Sequence, residues 1–270
     1  MIIDSHAHIG SVLNFNMPSE MLLEAMDKYG IDFALISNVQ SAEVGHDQVM
    51  IPNDKQISQQ QSLIELLDVL QQSKEKLGGL VWVKPLTETI TKEFETLIEQ
   101  NLAYIYGIKF HPYHSKIALN SEEVKPYLAL AEKFNLPIVT HTAADYESSP
   151  KVVYEVAKQY PNLDFIMVHL GLGTDHEEAI NYMASLPNLY GDLTWVTPDN
   201  VLKAIEVCGS HKLMFGTDAP INGVDTYDDQ VFYQFYFEDM KQVVTTEVYE
   251  QFMYKNAMKV FRLKTVNEHR

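Results

Sequence analysis

The chain is poor in arginine, and that scarcity limits how it can hold an anion. Only Arg262 and Arg270 occur in 270 residues, both near the C-terminus. Arginine is the usual two-pronged clamp for carboxylate and phosphate. An anionic group bound upstream must therefore be held by lysine, backbone N–H groups or a metal ion. Cysteine is scarcer still: Cys208 stands alone, which rules out an intramolecular disulfide and suits a reducing cytoplasm. Positive charge is outweighed, with 20 Lys and Arg against 37 Asp and Glu and a formal net charge of -17. That balance argues against nucleic acid or an anionic membrane as partner, since both reward clustered cations. No apolar run approaches the ~20 residues of a membrane-spanning helix. No basic and apolar leader precedes the first strand, so no signal peptide is expected and a cytoplasmic location is.

What is present is a large apolar inventory in a regular alternation. At 46% hydrophobic, the chain can bury one sizeable core, and a single domain over residues 1–270 is expected. Met1 to His8 reads as an opening strand. A polar, flexible stretch through Asn14–Met17 and a helix from Pro18-Ser19 to Gly30 come next. The run 31–36 is a short apolar strand. Residues 37–55 lack either period and are longer than a connection needs, which favours a lid or specificity loop. The Gln-rich segment 56–61 reads as a solvated turn. Helical patterns then alternate with apolar runs at 80–83, 104–110, 137–140, 164–168, 189–193 and 213–215, and two more helices follow around 230–243 and 246–261.

Eight apolar runs separated by helices indicate a parallel sheet covered on both faces. Eight such units most simply close into a (β/α)₈ TIM barrel, here an α/β fold with additional C-terminal helices. A doubly wound open sheet would want a Gly-rich phosphate loop after the first strand, and Ser5-His6-Ala7-His8-Ile9-Gly10 is not one.

In a TIM barrel the chemistry sits at the C-terminal strand ends. Four of the ten histidines fall there. His6 and His8 end the first strand on one face, with Asp4 in phase two residues earlier. His141 ends the fifth strand, His169 the sixth, and Asp218 follows the eighth. Neutral imidazole and carboxylate are the common ligands of Zn²⁺ and related ions. A single strand-end histidine is more often a surface or hydrogen-bonded core residue than a ligand, and an Asp before Ala-Pro more often a turn or cap residue; together they converge on one mouth. Gly107, Lys109 and His111 share a face of the fourth strand, so the lysine enters the same mouth. His111, Pro112 and His114 read as rim residues, while His46, His176, His211 and His269 have no comparable placement.

The motifs Asp4-Ser5-His6-Ala7-His8, Gly107-Ile108-Lys109-Phe110-His111-Pro112, Thr140-His141, His169-Leu170-Gly171, Phe215-Gly216-Thr217-Asp218-Ala219-Pro220 and Asn256-Ala257-Met258-Lys259-Val260-Phe261 span the chain in order. With them the sequence resembles the amidohydrolase superfamily, in the amidohydrolase-related branch of metal-dependent TIM-barrel enzymes. The resemblance implies a divalent metal, usually zinc, on His6, His8 and Asp218, with His141 as a further ligand. It implies that His169 is a ligand or instead contacts water or substrate. Such an ion lowers the pKa of water to about 7, and Asp218 is then placed to take up and hand on a proton. Asp4 is a candidate carboxylate for the far nitrogen of a ligating histidine. Lys109 either contacts substrate, which is favoured together with one ion, or is carboxylated and bridges two. His111 is a further candidate for substrate contact, and the Asn256 motif reads as structural.

The leading expectation is a metal-dependent hydrolase cleaving an amide, lactone or ester bond of a small molecule. The alternative is a non-oxidative decarboxylase of the same superfamily, and the missing arginine counts against it. A TatD-like nuclease is disfavoured by the charge and by Gly107-Ile108-Lys109 where that group carries a Gly-Glu motif. A catalytically silent binding barrel is the last rival. Core packing accounts for most of the aromatic run 232–237, with a substrate wall or a homodimer contact as its other uses.

Overall fold

The computed structural model describes residues 1–73, 75–229 and 231–263. Gln230, His269 and Arg270 lie outside the described residues. The chain opens with β1 (Ile3–Val12) and β2 (Phe15–Met17), then α1 (Ser19–Tyr29) and β3 (Phe33–Asn38). It continues through α2 (Gln59–Gln72), β4 (Leu77–Trp82), α3 (Lys92–Gln100), β5 (Ile105–Phe110) and the short α4 (Pro112–Ser115). There follow α5 (Lys125–Phe134), β6 (Ile138–Ala143), α6 (Pro150–Gln159), β7 (Phe165–Leu172) and α7 (Glu177–Ser185). The last units are β8 (Leu189–Asp192), α8 (Pro198–Cys208) and β9 (Leu213–Met214), before short helices from Gln234 to Val260.

Local chemistry sets the helix ends. Ser58, Thr91 and Ser149 accept backbone N–H groups at the starts of α2, α3 and α6, each cap contributing about 1 kcal/mol. Gly30 and Asn135 end α1 and α5 in the left-handed conformation, where Gly and Asn are least strained.

From β1 through β3 to β9 all neighbours pair in parallel, and β2 adds an antiparallel edge to β1. The segment after β9 then runs along β1. Ser5 donates to Phe215 O at 2.9 Å, Asp218 to His6 O at 2.8 Å and His8 to Ala219 O at 2.8 Å. These bonds join the last strand to the first, so the parallel sheet curls round as the TIM-barrel reading requires. Ile3, Leu35, Leu80, Val139, Ile166 and Met214 pack together as an inner core, with Ala257, Val260 and Phe261 against it. The larger core lies between sheet and helices. Asn256 is structural as expected, its amide donating to Ser210 O and Leu213 O at 2.7 and 2.6 Å.

Three local readings change, and one on the aromatic run holds. Residues 14–17 are not a flexible stretch: β1 runs to Val12 and hairpins onto β2, with Leu13 at φ 55 in the turn. No Asn-Gly or Gly-Gly pair marks that turn, so the usual hairpin signal is absent. The Gln-rich segment is not solvated throughout, because Gln59 is buried and its side chain bonds to Thr89 O, Lys84 N and Tyr127 Oη. His114 is buried rather than at the rim, and its Nδ1 lies 2.7 Å from Val44 O. The 37–55 segment is pinned there, since Glu43 and Val44 both donate to His114 O. The aromatic run is mostly core, as Tyr233 and Tyr236 are fully buried.

Candidate metal centre

Each strand end delivers its side chain as the pleat dictates, and the side chains meet. His6 Nε2 and His8 Nε2 each lie 3.1 Å from one oxygen, Oδ1 of Asp218. His169 Nε2 is 3.8 Å from Oδ2 of the same carboxylate. Lys109 Nζ reaches His6 Nε2 at 3.0 Å. Ligand atoms of His6, His169 and Asp218 all fall within 4.8 Å of one another. All five side chains are buried, Lys109 completely.

The outer nitrogens of the imidazoles are committed elsewhere, which aims the inner ones. His8 Nδ1 faces Ser37 Oγ at 3.0 Å, and His6 Nδ1 faces Thr194 Oγ1 at 3.3 Å. His169 Nδ1 donates to Thr194 O at 3.1 Å, which leaves its Nε2 lone pair free. Behind them, Asp192 accepts from Ser5 Oγ at 2.7 Å and from the Thr194 N–H at 3.0 Å. Gly216 makes room for this carboxylate: a Cβ there would sit 1.9 Å from Asp192 Oδ2.

Asp4 does not reach an imidazole nitrogen. Its carboxylate accepts the His6 backbone N–H, the Thr217 hydroxyl at 2.5 Å and the Tyr227 hydroxyl at 2.7 Å. It braces the start of the barrel against the segment carrying Asp218.

The electrostatics suit a cation. Burial pushes His6 down to about 3, and it also lowers His169, so both imidazoles are neutral. Burial alone would raise Asp218, but the imidazoles of His6, His169 and His8 outweigh it and hold the carboxyl well below its usual range. Burial brings Lys109 down to about 8, with Asp218 and Asp192 opposing that shift. Burial alone would also raise Asp192, but its contacts with His6 and Thr194 outweigh that and hold it below the usual carboxylate range. Donor atoms bound about 2.1 Å from a common ion lie roughly 3.0–3.4 Å apart; the two Nε2–Oδ1 distances of 3.1 Å fall in that range, and the 3.8 Å from His169 Nε2 to Oδ2 lies beyond it. Neutral imidazoles, an ionised carboxylate and this spacing fit a divalent cation.

Two expected residues stand to one side. Neither His8 nor His141 belongs to the group of His6, His169 and Asp218, and the His141 ring lies 4.8 Å from that of His169 and stacks on His111 at 4.1 Å, inclined 14°. His111 is sandwiched against Trp82 on its other face, at 5.0 Å and 14°. Its Nδ1 is buried with no partner among the described residues. Burial holds both imidazoles well below the usual range. Sequence reasoning missed Ser37, Asp192, Thr194 and Trp195. Asp192 was detectable, being a carboxylate at the end of β8 in the same inward register as the other site residues.

A family model described as Amidohydrolase matches residues 3–263. A search of curated proteins returns no match. Among solved structures, a 5-carboxyvanillate decarboxylase from Novosphingobium aromaticivorans, complexed with manganese and 4-hydroxy-3-methoxy-5-nitrobenzoic acid, superposes with a TM-score of 0.68 at 13% identity, covering 97% of this chain and 96% of that one. A probable 2-pyrone-4,6-dicarboxylic acid hydrolase from Acinetobacter baumannii gives 0.63 at 18% identity, covering 97% and 99%. An uncharacterized TIM-barrel protein from Bordetella bronchiseptica gives 0.70 at 16% identity, covering 97% and 98%. Identities this low speak to the shared barrel alone. Among the described residues no helix is long and apolar enough to cross a membrane.

Proposed function

Because the chain belongs to the amidohydrolase family, we propose that it is a metal-dependent hydrolase cleaving an amide, lactone or ester bond of a small molecule. The observation that carries this reading is the meeting of His6 Nε2 and His8 Nε2 on Asp218 Oδ1. These three residues hold a divalent cation, most simply one zinc ion, with His141 and His169 as the imidazoles beside them. Bound there, the cation supplies Lewis acidity toward a carbonyl oxygen and eases the ionisation of water.

The protein's own groups divide the remaining work. His169 and Asp218 are the proton carriers. The Nδ1–H of His169 is committed to Thr194 O, so Nε2 can take a proton from attacking water and return it to the leaving group. Asp218 stands beside it, with Oδ1 facing the two Nε2 atoms and Oδ2 accepting a hydrogen bond, and shares this proton transfer. Lys109 contacts a substrate oxygen, and His111 is the second residue on the substrate side.

The rival is non-oxidative decarboxylation, the activity named for the manganese-bound neighbour. Hydrolysis is favoured because no arginine stands at the mouth among the described residues: Arg262 bonds to Asn135 O and faces Asp164 on the far side of the barrel. Lys84, a buried lysine two residues past the end of β4, is occupied by Gln56 Oε1 and Ile57 O. A substrate panel run in ¹⁸O-labelled water tests the proposal. Label in the organic product of a metal-dependent reaction supports hydrolysis; CO₂ release with no label in the organic product overturns it.

A further inference from the structure

The turn that follows β8 touches three of the converging side chains at once. Thr194 meets His6 through its hydroxyl and His169 through its carbonyl. The next residue, Trp195, donates its indole N–H to Asp218 Oδ2 at 2.5 Å. Trp195 holds φ at 60, and so does Asp218 at 63. A bulky residue in the left-handed region costs on the order of 1 kcal/mol or more, and such positions persist where the surroundings over-determine them. Here the surroundings are visible. The indole packs against Phe232 at 5.4 Å and Tyr233 at 5.6 Å. Tyr233 in turn donates to Thr217 O at 2.9 Å, one residue before Asp218.

A carboxylate with both oxygens free can rotate, chelate with two atoms or swing away. Asp218 has no such freedom, because its two oxygens are assigned to different partners. Oδ1 faces His6 and His8, while Oδ2 is held by Trp195. We infer that Trp195 is a positioning residue for the metal centre: its indole N–H fixes Oδ2 of Asp218 so that Oδ1 alone is presented beside the two Nε2 atoms. The turn 192–195 thereby orients His6, His169 and Asp218 as one unit. The aromatic residues at 232 and 233 act through it, as a buttress for the indole rather than as a substrate wall.

This inference builds on the metal reading above, so its test has one arm that does not depend on metal. The chain has two tryptophans, hence two indole N–H signals in the ¹⁵N spectrum of the metal-free protein. Trp82→Phe assigns the remaining signal to Trp195. That signal is expected downfield and slow to exchange with solvent, and Asp218→Asn should move it upfield by weakening the acceptor. An unchanged Trp195 signal in Asp218→Asn overturns the clamp, whatever the metal does. The second arm is zinc titration against a coloured chelator. Trp195→Phe keeps an aromatic ring but loses the donor, and its zinc Kd should rise roughly 10-fold or more with its thermal midpoint in the metal-free state little changed. A folded Trp195→Phe with wild-type zinc affinity also overturns the inference. Should wild type itself bind no zinc, manganese or other divalent ion, the metal reading fails and the first arm alone decides the clamp.

Discussion

Lys109 Nζ lies 3.0 Å from His6 Nε2, at the point where a ligand atom and a substrate group would compete for space. A charged ammonium there suits one ion and a free lysine; a carboxylated lysine would suit two. With a single ion, zinc titration should saturate at about one equivalent per chain, and added bicarbonate should change neither stoichiometry nor activity. Two equivalents with bicarbonate dependence would show the bridged form instead.

Thr194 offers a separable test of the orienting turn. Thr194→Val removes the hydroxyl facing His6 Nδ1 while keeping the carbonyl that accepts from His169. Loss of such a supporting hydrogen bond weakens metal binding by about 10-fold in comparable sites. Isothermal titration should show that loss, with folding stability reduced by about 1–2 kcal/mol at most.

Gly216 carries a steric prediction. A methyl group placed there meets Asp192 Oδ2 at 1.9 Å, and Thr194 Oγ1 at 2.7 Å. Both partners are buried and hydrogen-bonded, so neither can yield cheaply. Gly216→Ala should cost at least about 1–3 kcal/mol in urea unfolding and lower metal affinity through the displaced carboxylate. Wild-type stability and affinity in that variant would contradict the packing described.

Glu43 gives a pH dependence away from the metal centre. Its Oε1 accepts both the Thr87 N–H and the Thr87 hydroxyl at 2.7 Å, which ties the 37–55 segment to the loop after β4. Burial pushes this carboxyl from 4.5 up to about 7, against the hydrogen bonds from Thr87 and Leu86. A group whose pKa is higher folded than unfolded supports the fold fully below 4.5, and that support is lost as pH rises through about 7. Glu43→Gln abolishes the titration. Between about pH 5 and pH 8 the wild type should therefore lose on the order of 1–3 kcal/mol more stability than the variant. Parallel pH profiles for the two proteins would refute this role.

Much of this architecture is legible in residue order because it rests on side-chain identity repeated at a fixed period. The alternating apolar runs announce the barrel, and His6, His8, His169 and Asp218 stand out as polar residues at its strand ends. What escapes is carried by backbone groups and by local conformation. The Thr194 carbonyl that orients His169 has no signature in residue type, and nothing in Leu193-Thr194-Trp195 signals a left-handed turn. The β1–β2 hairpin is equally silent, because Leu13-Asn14 is not a usual turn pair. Asp4 illustrates the opposite failure. Its strand phase points it toward the histidines, yet the hydroxyls of Thr217 and Tyr227 claim its carboxylate.

The central claim is that His6, His8 and Asp218 form one metal centre, and metal titration of the stripped protein tests it most directly. Isothermal titration with zinc and with manganese, on wild type and on the double variant His6→Asn, His8→Asn, is the measurement. The account predicts about one tightly bound equivalent in wild type and none in the variant. Equal binding by both proteins, or no binding by wild type, would contradict it.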